Sequence, residues 1–277
     1  MLTEQIRPFR FALVAFAPVR LSALNYKKTS ADRSGSLFAI VDGRISEVCE
    51  HGLISMGFKV LKLPRDIRLS EAVSSHTDLL LFHHKNTFIG SREYFERNKY
   101  IRDVLMSEVK NADIRLTDEK IGCQYPLDAI FNALVIGNKI FAKTDTVSKE
   151  IISYANEAKL KIVHVNQGYP ACTVLAVGEK LAITSDMGMK AALEKENIEV
   201  LYIENSKCIK LPPYKFGFIG GSGSVFGNKV YFLGNLCAVD RDGKIRQRLS
   251  DLGYTPISLD TDSDSLFDLG GMILISV

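Results

Sequence analysis

No Cys-x-x-Cys pair occurs in the 277 residues, and the five cysteines (Cys49, Cys123, Cys172, Cys208 and Cys237) are odd in number. A disulfide framework and a structural zinc site are therefore not expected, and a reducing cytoplasm is the expected compartment. Charge of one sign is also scarce. The 35 Lys and Arg stand against 32 Asp and Glu, a net +3, too little to call for nucleic acid or an anionic membrane as partner. No apolar run approaches the ~18 residues of a membrane span. The stretch 11–19 is apolar, but Pro18 interrupts it and Arg7, Arg10 and Arg20 flank it. It reads as a buried strand rather than a signal peptide, with 1–36 an extension packed on the rest of the chain. The shares of 46% hydrophobic and 24% charged residues then leave a soluble globular chain, long enough for a sizeable core.

Within that chain one pattern recurs. Residues 129–136 are an apolar run, followed by Gly137-Asn138-Lys139 and a second run at 140–142. The same order holds at 173–177, Gly178-Glu179-Lys180 and 181–183, and at 225–226, Gly227-Asn228-Lys229 and 230–232. Each is a hairpin, because Gly and Asn accept the positive φ of such turns. After each hairpin the apolar spacing predicts a helix (about 147–158, 187–195 and 244–252) and then a strand (161–165, 199–203 and 256–259). Thr146, Asp186 and Asp242 stand where N-caps are expected.

The N-terminal half carries the same unit. A helix opens at Asp42-Gly43-Arg44-Ile45 and runs to about Met56, with its strand at 58–63. A strand opens at Asp78, its hairpin turns at Lys85-Asn86, and a helix at 94–109 precedes a strand at 113–116. The pattern is ββαβ, about five times, with a period of roughly 41 to 53 residues. One unit is split: its first strand is 272–277 and its remainder begins at 37–40. Pairing those ends closes a ring and removes open sheet edges.

An α/β chain of five ββαβ repeats in a closed pseudo-fivefold ring resembles the pentein β/α-propeller. That is the fold of the guanidino-group modifying enzymes: arginine and agmatine deiminases, dimethylarginine hydrolases and amidinotransferases, together with a noncatalytic translation initiation factor. The resemblance spans residues 37–277 and makes 1–277 a single domain. Gln167-Gly168-Tyr169 before Cys172, Ile183-Thr184-Ser185-Asp186, and Gly217-Phe218-Ile219-Gly220-Gly221 look like a bacterial family of this fold that has no settled activity.

The resemblance implies that residues opening the first strands converge at one end of a central channel. Here these are His76, Asp78, Asp128, Cys172, Gly220, Gly221 and Asp268. The residue types suit a guanidinium, which is planar and pairs bidentately with carboxylate. A thiolate is the practical nucleophile near neutral pH, and a His can protonate the departing amine and activate water. The resemblance thus assigns Cys172 as nucleophile, His76 as acid/base, and Asp78, Asp128 and Asp268 as guanidinium anchors, with Gln167, Tyr169, Gly220 and Gly221 beside the substrate. His76-Thr77-Asp78 matches the family's His-x-Asp residue by residue. The family hydrolases carry their nucleophile just past C-terminal glycines, but Gly270-Gly271 is followed by no Cys or His. Cys172, two units on from His76, fills that place if unit order is permuted around the ring.

Plainer roles remain open at each position. Cys172 suits a buried core, and the polar residues suit turn caps. The run Gly220-Gly221-Ser222-Gly223-Ser224 lacks the Lys-Ser/Thr of a phosphate loop, so no nucleotide or other cofactor is expected. His83-His84 would face opposite sides of a strand, and no Cys/His cluster has ligand spacing, so no metal is expected. Two functions stand: an enzyme acting on a small guanidino or amidino molecule, or a noncatalytic module binding a protein or ribosomal partner. The first requires Cys172 and His76 to share one cavity with a carboxylate. The second requires them apart, with an exposed apolar patch.

Overall fold

Four tight turns, at Lys85 (φ 57°), Gly137 (57°), Gly178 (64°) and Gly227 (59°), fold four apolar segments back on themselves. A computed structural model describes residues 36–204 and 206–277. The expected strand at 11–19 and the packing of the N-terminal extension lie outside the described residues. The hairpins give four three-stranded sheets: Leu81–His84, Thr87–Ser91 and Asp113–Thr117; Leu134–Ile136, Lys139–Ala142 and Lys161–His164; Val174–Val177, Leu181–Thr184 and Glu199–Tyr202; Gly223–Phe226, Lys229–Phe232 and Thr255–Ser258. In each, the first two strands pair antiparallel and the third returns parallel to the second. A fifth sheet joins the ends of the chain. Met272–Ser276 lies antiparallel to Leu37–Asp42, which pairs in parallel with Phe58–Leu63.

A helical crossover makes the parallel return in every unit. Four are single helices: Glu47–Ser55, Lys149–Glu157, Met187–Lys195 and Lys244–Asp251. The expected helix at 94–109 is two, Arg92–Arg97 and Lys99–Glu108, broken at Asn98, whose side chain donates to the Tyr94 carbonyl at 2.9 Å. Each crossover ends in a left-handed residue before its strand: Gly57, Asn111, Lys159, Asn197 and Gly253. Asp186 caps its helix by accepting from the Met189 N–H at 2.8 Å. The other expected caps move. Ser148, not Thr146, caps Lys149–Glu157. Asp240, not Asp242, accepts from the N–H groups of Ile245 and Arg246 at 2.7 and 3.0 Å, because Gly243 takes a left-handed φ and turns the chain back toward Asp240.

The middle strand of each sheet is buried on both faces, which explains its near-continuous apolar sequence. Phe88, Ile89, Ile140, Phe141, Ala182, Ile183, Val230 and Phe232 all have no exposed surface. The closed ring expected from joining the chain ends is not seen as a closed sheet. The five sheets stay separate, with no ladder from one to the next among the described residues. The first strands of all five line one cavity of about 540 Å³, through Phe82, Val135, Leu175, Val225 and Ile273 among others.

Candidate functional site

The turns entering the first strands carry the site. Asp78-Leu79-Leu80 is not the start of a strand. Thr77–Leu80 is one helical turn with His76 at its cap, and the strand begins at Leu81. Cys172 likewise rides a helical turn, Pro170–Thr173, before its strand. Pro170 opens that turn, where its fixed φ suits a helix and its missing N–H is not needed. Asp268 sits at the entrance of the last strand and accepts from the N–H groups of Phe218 at 2.8 Å and Gly270 at 3.2 Å.

Gly220 and Gly221 allow these segments to touch. A Cβ on Gly220 would sit closer than 3.0 Å to the carbonyl oxygens of Ala171, Cys172 and Val174. One on Gly221 would be equally close to the Asp268 carboxyl. Their part is close backbone packing under Cys172 and Asp268.

A cavity of about 350 Å³ is lined by His76, Asp128, Tyr169, Cys172 and Asp268 on one side. The loop 211–218 supplies Leu211, Tyr214, Lys215, Phe216 and Phe218 opposite. Asp78 stands behind this wall and lines the 540 Å³ cavity instead. Its Oδ2 accepts from the Cys172 thiol at 2.6 Å. Asn132 ties the nucleophile's turn down, its Nδ2 donating to Cys172 Sγ at 3.3 Å and its Oδ1 accepting from the Ala171 N–H at 2.7 Å. The Tyr169 hydroxyl donates to Asp128 Oδ2 at 2.9 Å. His76 is 1% exposed. Its Nδ1 lies 4.0 Å from Asp268 Oδ1 and its Nε2 4.0 Å from Asp42 Oδ2. Neither ring nitrogen has a hydrogen-bond partner among the described residues, nor has Asp78 Oδ1 or Asp128 Oδ1.

Burial governs the protonation of the group. It pushes the Cys172 thiol well above its usual range, and the nearby carboxylates of Asp78 and Asp268 add to that. It raises Asp78 to about 6 and Asp268 to about 7, the latter also repelled by Asp78. Asp128 is raised as well, against the pull of its Tyr169 bond. His76 is lowered to about 4, burial outweighing the attraction of Asp42. The site holds more acids than cations: Arg44 is already engaged by Asp42, and among the described residues Lys215 is the one Lys or Arg lining the cavity.

Gln167 departs from its expected place. It donates to Asp186 Oδ2 at 2.6 Å and lines a different cavity with that residue, drawn away by the carboxylate that caps the helix Met187–Lys195. The sequence reading missed Asn132, Asp42 and the loop 211–218. Asn132 had a signal, as the lone polar residue in the run 129–136. Asp42 reads equally well as a helix opener, and the loop has no periodicity. Spacing along the chain also hides a donor cluster that the fold assembles. One ligand atom each from His76, Asp78 and Cys172 lie within 4.8 Å of one another, a spread that can hold a metal ion.

Solved structures of similar shape place the fold. An amidinotransferase from Microseira wollei, of the saxitoxin biosynthetic pathway, superposes with a TM-score of 0.53 at 12% identity, over 87% of this chain and 96% of its own. The inosamine-phosphate amidinotransferase StrB1 from Streptomyces griseus gives 0.52 at 12%, over 86% and 92%. Both are pentein-fold enzymes, and this chain shares their fold. By sequence it belongs to the family described as "Family of unknown function (DUF6873)", whose model matches residues 40–273. No curated protein matches it. Among the described residues no helix is long and apolar enough to cross a membrane.

Proposed function

We propose that this protein is a cytoplasmic enzyme that attacks the central carbon of a small guanidino or amidino compound with Cys172. The carrying observation is that Cys172 and His76 share one cavity with Asp128 and Asp268. A noncatalytic binding module has no need for these side chains to share a cavity. In this reading the five units form a closed pseudo-fivefold ring around the 540 Å³ cavity, and 1–277 is one domain.

The chemistry rests on the imbalance of charge. A guanidinium seated against Asp128 and Asp268 adds a cation on the side of the cavity opposite Lys215, and its charge beside Cys172 brings the thiol pKa down. Sγ attacks the planar carbon while its proton passes to neutral His76. His76 returns that proton to the departing nitrogen as the C–N bond breaks. In the second half His76 takes a proton from water, or from an acceptor amine, as that nucleophile adds to the carbon and the C–S bond breaks. Tyr169 holds Asp128, and the aromatic loop opposite covers the apolar part of the ligand.

The test compares two alkylators on the whole protein by mass spectrometry. Chloroacetamidine is cationic and iodoacetamide is neutral with a better leaving group. The expectation is that Cys172 reacts at least tenfold faster with the amidine and that His76→Ala slows that reaction, while exposed Cys123 and Cys237 prefer iodoacetamide. Amidine labelling at Cys172 no faster than at Cys123 would remove the nucleophile and the proposal with it.

A further inference from the structure

We infer that the cluster of Cys172, His76 and Asp78 is a binding site for a zinc ion, which competes with the cationic substrate. Binding stands on the donor geometry alone; only the competition rests on the catalytic reading above. Three observations carry it. First, the three side chains offer one sulfur, one nitrogen and one oxygen within 4.8 Å of one another. Small side-chain movements bring such a set to the distances zinc needs, about 2.3 Å to sulfur and about 2.0 Å to nitrogen and oxygen.

Second, the lone pairs are free. Asp78 Oδ1 and both ring nitrogens of His76 are buried without a hydrogen-bond partner among the described residues, which is costly unless something enters to meet them. Third, acids outnumber cations around the cluster, Lys215 being the one Lys or Arg among the described residues that lines the cavity. Asp42 and Asp268 flank the cluster, and Arg44 is spent on Asp42. A sulfur and an imidazole in the set select zinc over magnesium or calcium, which take oxygen ligands. His76 and Cys172 line the 350 Å³ cavity, so the ion has an entrance. Asp268, whose Oδ1 is 4.0 Å from His76 Nδ1, or a water completes four ligands. On binding, the S–H bond breaks, the thiolate takes the metal, and one proton leaves to buffer.

Cobalt chloride is the probe, added to the chelator-stripped whole protein, with zinc chloride as competitor. One equivalent of Co²⁺ per chain should give a sulfur-to-metal charge-transfer band and the intense visible bands of a four-coordinate ion, both bleached by one equivalent of zinc. Cys172→Ser should abolish the charge-transfer band. His76→Ala and Asp78→Asn should each weaken binding at least tenfold. Variants at Cys123 and Cys237 should leave it unchanged. Because a site variant could misfold, X-ray absorption of the zinc-loaded wild type is the second measurement, with one sulfur and three nitrogen or oxygen neighbours expected. A band that survives Cys172→Ser, or a zinc shell with no sulfur or with several, overturns the site. Zinc bound as described in a protein that never labels with the amidine would sink the catalytic reading but keep the site. Amidine labelling unaffected by zinc would do the reverse.

Discussion

Replacing Asp78 by Asn should make the protein more stable at pH 8 and leave it nearly unchanged at pH 4. Asp78 Oδ1 is out of contact with solvent and unpartnered among the described residues, and burial raises its carboxyl from the ordinary 3.8 to about 6. A carboxyl raised on folding contributes stability below its unfolded pKa and loses it as pH rises through its folded pKa. The loss therefore falls between about pH 4 and pH 6. At 1.36 kcal/mol per pH unit it amounts to about 3 kcal/mol. The amide keeps an oxygen for the Cys172 thiol and carries no charge, so it escapes that loss. The shift of His76 to about 4 is common to both proteins and cancels in the difference. Urea unfolding at pH 4 and pH 8, with chelator present, reads the quantity directly. A variant whose advantage over wild type is the same at both pH values, or smaller at pH 8, would show that Asp78 is not held as a desolvated carboxylate.

Two further substitutions test the scaffold. Gly221→Ala places a Cβ against the Asp268 carboxyl and should cost at least ~2 kcal/mol by the overpacking that buried insertions cause; a melting temperature within a degree of wild type would contradict that packing. Asp240→Ala removes the acceptor for two N–H groups at the start of Lys244–Asp251 and should cost about 1–2 kcal/mol in urea unfolding, whereas Asp242→Ala should cost less than half as much.

The sequence was most legible where one physical requirement has one solution. Gly137, Gly178 and Gly227 mark hairpin turns because the turn needs positive φ, and Met187–Lys195 lies at its expected bounds because Asp186 caps it and Met189 and Leu193 bury one face. Legibility failed where two solutions share a pattern. Asp78-Leu79-Leu80 is apolar enough for a strand or for a buried helical turn, and a short run gives no period to choose between them. That ambiguity sits on the site, since the turn sets Asp78 toward the 540 Å³ cavity instead of beside Asp128. Asp42 illustrates a different limit. Nothing local in Asp42-Gly43-Arg44 tells that its carboxylate lies 4.0 Å from His76, a neighbour supplied by a different unit.

The pairing of Met272–Ser276 with Leu37–Asp42 also sets an order of events during synthesis. Of these two neighbours one is the earliest described strand to leave the ribosome and the other the latest. The four hairpin units can assemble from local contacts as they emerge, but Leu37–Asp42 must wait with its buried face uncovered. Ala39, Ile40 and Val41 have no exposed surface in the finished protein, so throughout elongation they form an apolar strand with an unclaimed edge. Among the described strands its pairing with the late strand joins the segments farthest apart in sequence, and so carries the largest loop-closure cost of any described pair.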